Sequence, residues 1–310
     1  FYAVGFGNYV SPLVAGLNLN LGVAAAVPLS GAQIGGLVAA IVFIAVNYLS
    51  TDGTGDLQNV IVIVLLAILG VFMALGATQV RFAELTPFFP QATGPGAILP
   101  TTALVFVSYL GFAQVATVAG EIKQPGTNLP RAMVGSVLLV TVIYAVSMLV
   151  LLGVVPLDRI AGEGTAIAIG ARAVFGGFGI GLVGVGLLTF GGLLATASSA
   201  NASVLSAARI NYAMGRDGLM DERLSAIHSR FNTPYRSIAL TGALIVVFII
   251  AGKVNALAKA GSVLHLLVYG LLNVSLIAMR ETEAMGYDPG FEAPGYPVVP
   301  VRGALLSFGL

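Results

Sequence analysis

Hydroxyl and amide side chains cluster in one stretch of an otherwise apolar run, in the sequence TASSANAS over residues 196–203. Thr196, Ser198, Ser199 and Asn201 place four oxygen-bearing side chains within six residues. In a lipid environment these oxygens must face protein, water or an ion, so they could bind a small cation or a polar substrate. The alternative is that the hydroxyls bond back to carbonyls one turn earlier in the same helix. The residues alone leave both interpretations open.

A Gly-Phe step, Gly111-Phe112, interrupts a second apolar run, over residues 100–121. Glycine lacks the Cβ that opposes unwinding, so it permits a local departure from helix. Transporters use such broken helices to present main-chain N–H and C=O groups to a substrate. The alternative is that Gly111 only lets a neighbouring helix approach closely, and position alone favours that packing role.

The end of this run is marked by turn-forming and capping residues. Pro125 cannot continue a helix, and Gly126 suits a turn. Asn128 can cap the next helix, with Pro130 and Arg131 in its opening turn. The sequence therefore predicts a short re-entry turn at one face of a membrane.

Composition identifies the solvent of this protein as a lipid bilayer. Of its 310 residues, 57% are hydrophobic and only 9% are charged, against about 25% charged in soluble domains. A net charge of +1 argues against a nucleic-acid partner. The lack of cysteine excludes thiolate and zinc–cysteine chemistry.

Motifs that would indicate an enzyme are missing or out of context. The stretch GIGLVG at 179–184 matches GxGxxG but lies in an apolar run, so close helix packing explains its glycines better than a dinucleotide. The carboxylates all fall in loops or at helix ends, whereas an intramembrane hydrolase needs buried catalytic groups. We therefore predict that the chain is not an enzyme and has no cofactor beyond a coupling ion.

The apolar runs predict an all-α, polytopic membrane helix bundle forming one transmembrane domain over 1–310, because about 20 apolar residues cross a bilayer. Both ends lie inside apolar runs, which predicts a chain truncated at each terminus, with partial helices at 1–22 and 297–310. The complete helices are predicted at 31–50, 57–78, 100–121, 131–156, 174–214, 236–253 and 256–279.

Basic residues in the loops predict the orientation. If 121–131 is cytoplasmic, nine Lys and Arg residues lie inside and five outside. Five of the inner arginines fall within residues 209–236. That loop is consequently predicted on the cytoplasmic side.

Four ordered stretches resemble amino acid permeases of the amino acid–polyamine–organocation superfamily. The stretch SYLGFAQVATVAGEIKQPGTNLPRAM is similar to the sixth helix and following loop of these permeases, where the family pattern has Gly-Phe-Glu. The others resemble the fifth helix, the eighth helix with its loop, and the entry to the eleventh: GDLQNVIVIVLLAILGVF, the 41 residues from Ser198 to Ile238, and GFEAPGYPVVP. The resemblance covers nearly the whole chain.

This resemblance implies a LeuT-like inverted-repeat fold, of which the chain would span about helix three to helix eleven. It implies sodium coordination near Ser198 and Ser199, as in sodium-coupled relatives. It implies that main-chain groups of the broken sixth helix hold the substrate ammonium. The implied substrate-binding residues are Val107, Tyr109, Leu110, Gly111, Phe112 and Ala113.

Three positions depart from the family pattern. Ala113 replaces the Glu of Gly-Phe-Glu, and Gly120 replaces the first Glu of a later pair. Some proton-coupled relatives carry a helix-five lysine where this chain has Leu65. A proton mechanism based on that lysine is therefore not supported, whereas sodium coupling, exchange or another proton route stay open.

Together these features predict a secondary active transporter, a multi-pass protein of the cell membrane. It would move amino acids or related amines by alternating access, with the lipid bilayer and a small-molecule substrate as its partners. The alternative is a non-transporting membrane receptor or scaffold of the same fold. The residues do not indicate the oligomeric state.

Overall fold

A computed structural model describes residues 2–15, 29–49, 54–86, 94–109, 111–115, 119, 122–160, 166–251, 254–282 and 289–310. Throughout those ranges the regular elements are helical and no β-strand occurs, which confirms the all-α prediction. The α-helices are α1 (Tyr2–Ala15), α2 (Gly31–Leu49), α3 (Thr54–Ala77), α4 (Ile98–Val105), α5 (Gly111–Gln114), α6 (Pro125–Val154), α7 (Ala166–Gly176), α8 (Gly181–Arg216), α9 (Tyr235–Ala251), α10 (Val254–Glu281) and α11 (Val298–Gly309). Short 3₁₀ helices cover Phe82–Leu85, Gly94–Ala97, Phe106–Tyr109, Leu157–Arg159 and Glu222–Ser225.

Several helices are long and apolar enough to cross a bilayer. Within the described ranges five qualify: Gly31–Leu49, Gln58–Ala77, Pro125–Val154, Gly181–Arg216 and Lys259–Glu281. Large apolar side chains on these helices stay exposed, as a lipid solvent requires; Ile63 is 66% exposed and Leu182 is 79% exposed. The polytopic membrane fold is confirmed.

The start of α6 differs from the predicted start at residue 131. The helix begins at Pro125, because a proline at the first helical position lacks only an N–H that has no intrahelical partner. Asn128 therefore lies inside the helix, and the prediction that it caps α6 is wrong. Its Nδ2 donates instead to the carbonyl oxygen of Lys123, at 2.6 Å. Gln124, just before the helix, takes a positive φ of 50° and makes the turn.

The predicted helix over 174–214 is observed as the end of α7 followed by α8. Gly179 has a φ of 75°, which glycine adopts without strain, and the chain turns there. Gly184 in the first turn of α8 lies against the ring of Phe175, where a Cβ would overlap the ring. The glycines of GIGLVG thus form a turn and a close helix contact.

The chain contains two compact units, and the single transmembrane domain over 1–310 stays a prediction. The first contains residues 1–88 and 142–252. Its main core joins α3, the end of α6, α7 and α8 through buried side chains that include Phe72, Val150 and Val174. In the same unit α1 crosses α2 at very short range, since a Cβ at Gly7 would overlap the carbonyl oxygen of Ala32.

The loop between α8 and α9 is attached to the end of α2 in this first unit. Thr233 is fully buried, and its Oγ1 donates to the carbonyl oxygen of Tyr48 at 2.9 Å. The Tyr48 ring contacts the rings of His228, Phe231 and Tyr235, with centroids 5.6, 6.0 and 6.4 Å away. An aromatic cluster thus joins the arginine-rich loop to α2.

The second unit contains residues 89–141 and 253–310. Here α4 and α11 both pack on α10. Phe106 meets Tyr269 of α10 edge to face, with ring centroids 5.6 Å apart. Phe308 of α11 lies over Gly270, where a Cβ would come within 2.6 Å of the ring. Small residues and aromatic rings therefore set the helix spacing in this unit.

Candidate functional site

The run predicted as one helix over 100–121 is broken into pieces. The α-helix α4 ends at Val105, a 3₁₀ helix covers Phe106–Tyr109, and α5 covers Gly111–Gln114. Leu110, together with residues 116–118, 120 and 121, lies outside the described residues. A 3₁₀ segment in the middle of a membrane-length helix changes the hydrogen-bond pattern of the backbone, as expected where a helix is interrupted.

Gly111 lies at this break with open space beside it. No heavy atom of the described chain lies within 4 Å of the position that a Cβ would occupy there. By contrast, a Cβ at Gly7 or Gly184 would overlap a neighbouring helix. Close packing against the described residues therefore does not account for Gly111, and its role in a break of the helix stays a prediction.

Tyr109 connects the 3₁₀ segment to α6 within the second unit. Its hydroxyl lies 3.2 Å from Oγ1 of Thr141. Thr141 already donates its single hydroxyl proton to the carbonyl oxygen of Val137, at 2.7 Å. With that proton directed to Val137, the Thr141 oxygen is free to accept from the Tyr109 hydroxyl.

The other predicted substrate-binding residues are described only in part. Val107 belongs to the 3₁₀ helix, and Phe112 and Ala113 belong to α5, but their side chains lie outside the described residues. The substrate-binding role of the six residues remains a prediction.

The hydroxyl and amide cluster of α8 lies in the first unit and makes contacts of two kinds. Thr196 Oγ1 donates to the carbonyl oxygen of Gly192 at 2.7 Å, the back-bonding foreseen as one alternative. Ser198 Oγ donates to Oε1 of Gln58 on α3, also at 2.7 Å. Because a hydroxyl that donates its proton keeps two lone pairs, Thr196 and Ser198 can still accept or coordinate.

Asn201 pairs with a second helix. Its Oδ1 accepts a hydrogen bond from Nδ2 of Asn47 on α2, at 2.7 Å, and the same Nδ2 also donates to the carbonyl oxygen of Phe43 at 2.8 Å. Asn47 is 4% exposed. Ser199 is half-buried on the same stretch of α8.

Gln58, Asn47, Ser198 and Asn201 thus form a polar seam that joins α8 to α2 and α3. The sequence reasoning missed Gln58 and Asn47. Each is a polar amide side chain within or at the end of an apolar run. A lone polar residue in such a run was the sequence feature that could have identified them. Their pairing with Ser198 and Asn201 depends on how the helices are rotated, which spacing within one helix does not determine.

The position that matches the helix-five lysine of some relatives lies in an apolar contact. Leu65 Cδ2 comes 3.6 Å from the Cβ position of Gly191 on α8. Among the described residues, no group of three or more His, Cys, Asp or Glu side chains could hold a metal ion. The side-chain oxygens that the structure places on this stretch of α8, from Thr196, Ser198, Ser199 and Asn201, are all neutral.

Comparison with known proteins places this set of helices in a family. A family model described as amino acid permease matches residues 2–310. The chain belongs to that amino acid permease family. The resemblance recognised in the sequence is thereby confirmed, and the family consists of transporters rather than enzymes.

Three curated relatives from Bacillus subtilis (strain 168) show the range of this permease family. The chain is 29% identical to a methylthioribose transporter over 97% of its own length, and 27% identical to a branched-chain amino acid permease over 96%. It is 27% identical to a serine/threonine exchanger over 88% of its length. The permease chain spans 65%, 64% and 61% of the lengths of these relatives.

Proposed function

We propose that the protein carrying this chain is a secondary active transporter of amino acids or related amines, working by alternating access across the cytoplasmic membrane. The observation that carries the proposal is the interrupted helix at residues 106–114 with open space at Gly111. Helix interruptions at membrane depth expose main-chain groups that can bind the charged ends of a small substrate.

The names of the relatives support an amino acid or a related small molecule as substrate. Two of the three are named for amino acids, branched-chain residues in one case and serine and threonine in the other. The third is named for methylthioribose. A substrate site built largely from main-chain groups suits the two relatives named for amino acids, because backbone contacts recognise the ammonium and carboxylate whatever the side chain. Methylthioribose carries neither group, so this argument does not extend to it.

Alternating access requires that substrate and coupling ion bind the outward-open and inward-open states with different affinities. We assign a sodium ion, if sodium is the coupling ion, to the hydroxyl oxygens of Ser198 and Ser199. The Ser198 oxygen retains lone pairs after donating to Gln58. A coupled proton is the alternative, and it would need a carrier other than Leu65.

Uptake into proteoliposomes by the full-length protein tests the proposal. Radiolabelled amino acids and polyamines are supplied singly, with and without a sodium gradient and with and without a proton gradient. We expect saturable uptake of at least one amino acid. This uptake should depend on a sodium or proton gradient or, for an exchanger, on unlabelled substrate inside the proteoliposomes. Substrate binding without any flux or exchange would favour the receptor alternative instead.

A further inference from the structure

A short turn over residues 228–233 fastens the loop between α8 and α9. The His228 N–H donates to the carbonyl oxygen of Thr233 at 2.8 Å, and the Asn232 N–H donates to the carbonyl oxygen of His228 at 2.9 Å. Asn232 takes a φ of 53°, a conformation that asparagine adopts more readily than most residues. The buried Thr233 side chain binds the carbonyl oxygen of Tyr48, so this turn attaches the loop to the end of α2.

The His228 side chain takes part in the turn through Nδ1. This nitrogen accepts the backbone N–H of Arg230, with 3.2 Å between the two nitrogens. A ring nitrogen that accepts a hydrogen bond carries no proton, so the contact requires a neutral ring with its proton on Nε2. In the protonated ring both nitrogens are donors, and Nδ1–H would oppose the Arg230 N–H. The turn therefore favours neutral His228.

Two arginine side chains add to this preference. Three aromatic rings lie around the His228 ring, those of Tyr48, Phe231 and Tyr235. An aromatic face attracts a cation, but two of these rings already hold one. The Arg230 guanidinium lies 5.4 Å from the Phe231 ring centroid. The Arg236 guanidinium lies 5.4 Å from the Tyr235 ring centroid. Both arginines would therefore repel a positive charge on His228.

The carboxylates of the loop do not balance such a charge. Within the described ranges, none forms a hydrogen bond or an ion pair with His228. Asp217 pairs with the arginine that precedes it, Asp221 caps the 3₁₀ helix that follows it, and Glu222 is exposed. Asp52, just beyond α2, lies outside the described residues. In the described structure, protonation of His228 thus costs a hydrogen bond and gains no ion pair.

We propose that the attachment of this loop to α2 is pH-sensitive and that His228 is the residue that senses the pH. Histidine side chains gain their charge between about pH 8 and pH 5. The attached turn favours the unprotonated ring, so the attachment is strongest at high pH and weakens as the pH falls. The orientation predicted from the loop charges places the turn in the cytoplasm, so cytoplasmic acidification would release the end of α2. This proposal does not depend on the proposed transport function.

Hydrogen–deuterium exchange of the full-length protein in lipid nanodiscs tests the proposal. Exchange is measured at pH 7.5 and pH 5.5, and each rate is divided by the intrinsic amide rate at that pH. We expect protection of residues 228–238 and 44–49 to fall about fivefold at pH 5.5, the factor to which a hydrogen bond of about 1 kcal/mol converts. Unchanged protection in the parent protein would overturn the proposal.

Two variants and a matched control assign the response to one side chain. His228→Asn keeps an acceptor near the place of Nδ1 and His228→Phe keeps a ring, but neither can titrate in this range, so both should lose the pH response. His265→Gln changes the other histidine of the chain, in α10, and should respond like the parent. Size-exclusion chromatography confirms folding of each variant.

The direction of the response is a further test. A pH response that persists in both His228 variants would overturn the proposal, because another group would then sense the pH. Greater protection of the parent at pH 5.5 would also overturn it, since protonated His228 would then be stabilised by a carboxylate such as that of Asp52. Asp52→Asn identifies that case, because it would abolish the gain in protection.

Discussion

Ser198 makes one observed contact and has one proposed role, and substitutions can separate the two. Its proton is used in the hydrogen bond to Gln58, which joins α8 to α3, while its lone pairs remain available to a cation. The contact concerns stability and the proposed role concerns ion coupling. Substituting each partner of the bond in turn distinguishes them.

Ser198→Ala is expected to lower both stability and the response to sodium. It leaves the partly buried Oε1 of Gln58 without a donor, which costs about 1–3 kcal/mol. Thermal unfolding of the purified full-length protein in detergent measures the stability, and uptake at several sodium concentrations measures the coupling. We expect a lower unfolding temperature and a higher sodium requirement.

Gln58→Leu is the matched control for the ion role. It removes the same hydrogen bond but leaves the Ser198 hydroxyl, which can donate to the carbonyl one turn earlier. We expect the sodium requirement to stay near that of the parent. If both variants respond to sodium alike, the assignment of sodium to Ser198 is wrong and only the structural role stands.

At the scale of elements, the proposed function rests on the break between α4 and α5. Gly111→Ala meets no steric obstacle in the described chain, because the space beside it is open. It does favour continuous helix, by about 1 kcal/mol in a helix interior. We expect the variant to fold and to transport substrate roughly fivefold more slowly, as that free energy converts to rate.

Gly135→Ala supplies the control for this prediction. Gly135 lies in α6, is exposed and also has no heavy atom within 4 Å of its Cβ position in the described chain. It gains the same helix propensity without affecting the break, so uptake should match the parent. Unchanged uptake in Gly111→Ala would contradict a role for the interruption.

The crossing of α1 and α2 gives a prediction about packing. Gly7→Ala places a Cβ against the Ala32 carbonyl and 2.7 Å from the Gly36 nitrogen, so two backbones must separate. Overpacking of this kind costs about 1–3 kcal/mol. In Gly5→Ala, the control two residues away, the new Cβ comes no closer than 3.4 Å to Thr196 Cγ2. Thermal unfolding should show a clearly lower unfolding temperature for Gly7→Ala and little change in that temperature for Gly5→Ala.

At the scale of the whole molecule, the distribution of basic residues predicts which loops face the cytoplasm. The chain lacks cysteine, so a cysteine introduced at one position can report which side of the membrane that position faces. Ser229→Cys lies in the arginine-rich loop and Asp158→Cys lies between α6 and α7, and both residues are exposed. A membrane-impermeant maleimide should label the first only in inside-out vesicles and the second only in right-side-out vesicles. The reverse pattern would overturn the orientation.

Much of this architecture follows from the sequence because membrane helices are specified by simple rules. Apolar length predicted the membrane fold, and the 3₁₀ segment Phe106–Tyr109 lies shortly before the Gly-Phe step at which a break was predicted. The start of α6 was misjudged because a proline can begin a helix as well as end one. The pairs Gln58–Ser198 and Asn47–Asn201 were missed because contacts between helices depend on their rotation and depth.

The hydrogen bond between Tyr109 and Thr141 has a mechanical consequence. It fixes the tightly wound turn before Gly111 to a point inside the 30-residue helix α6. A tilt of α6 would therefore pull on that turn. If the proposed substrate binds at the turn, it would in return resist the tilt of α6. Tyr109→Phe would remove this link while keeping the ring, so that substrate binding and the tilt of α6 would become independent and transport would be uncoupled from binding.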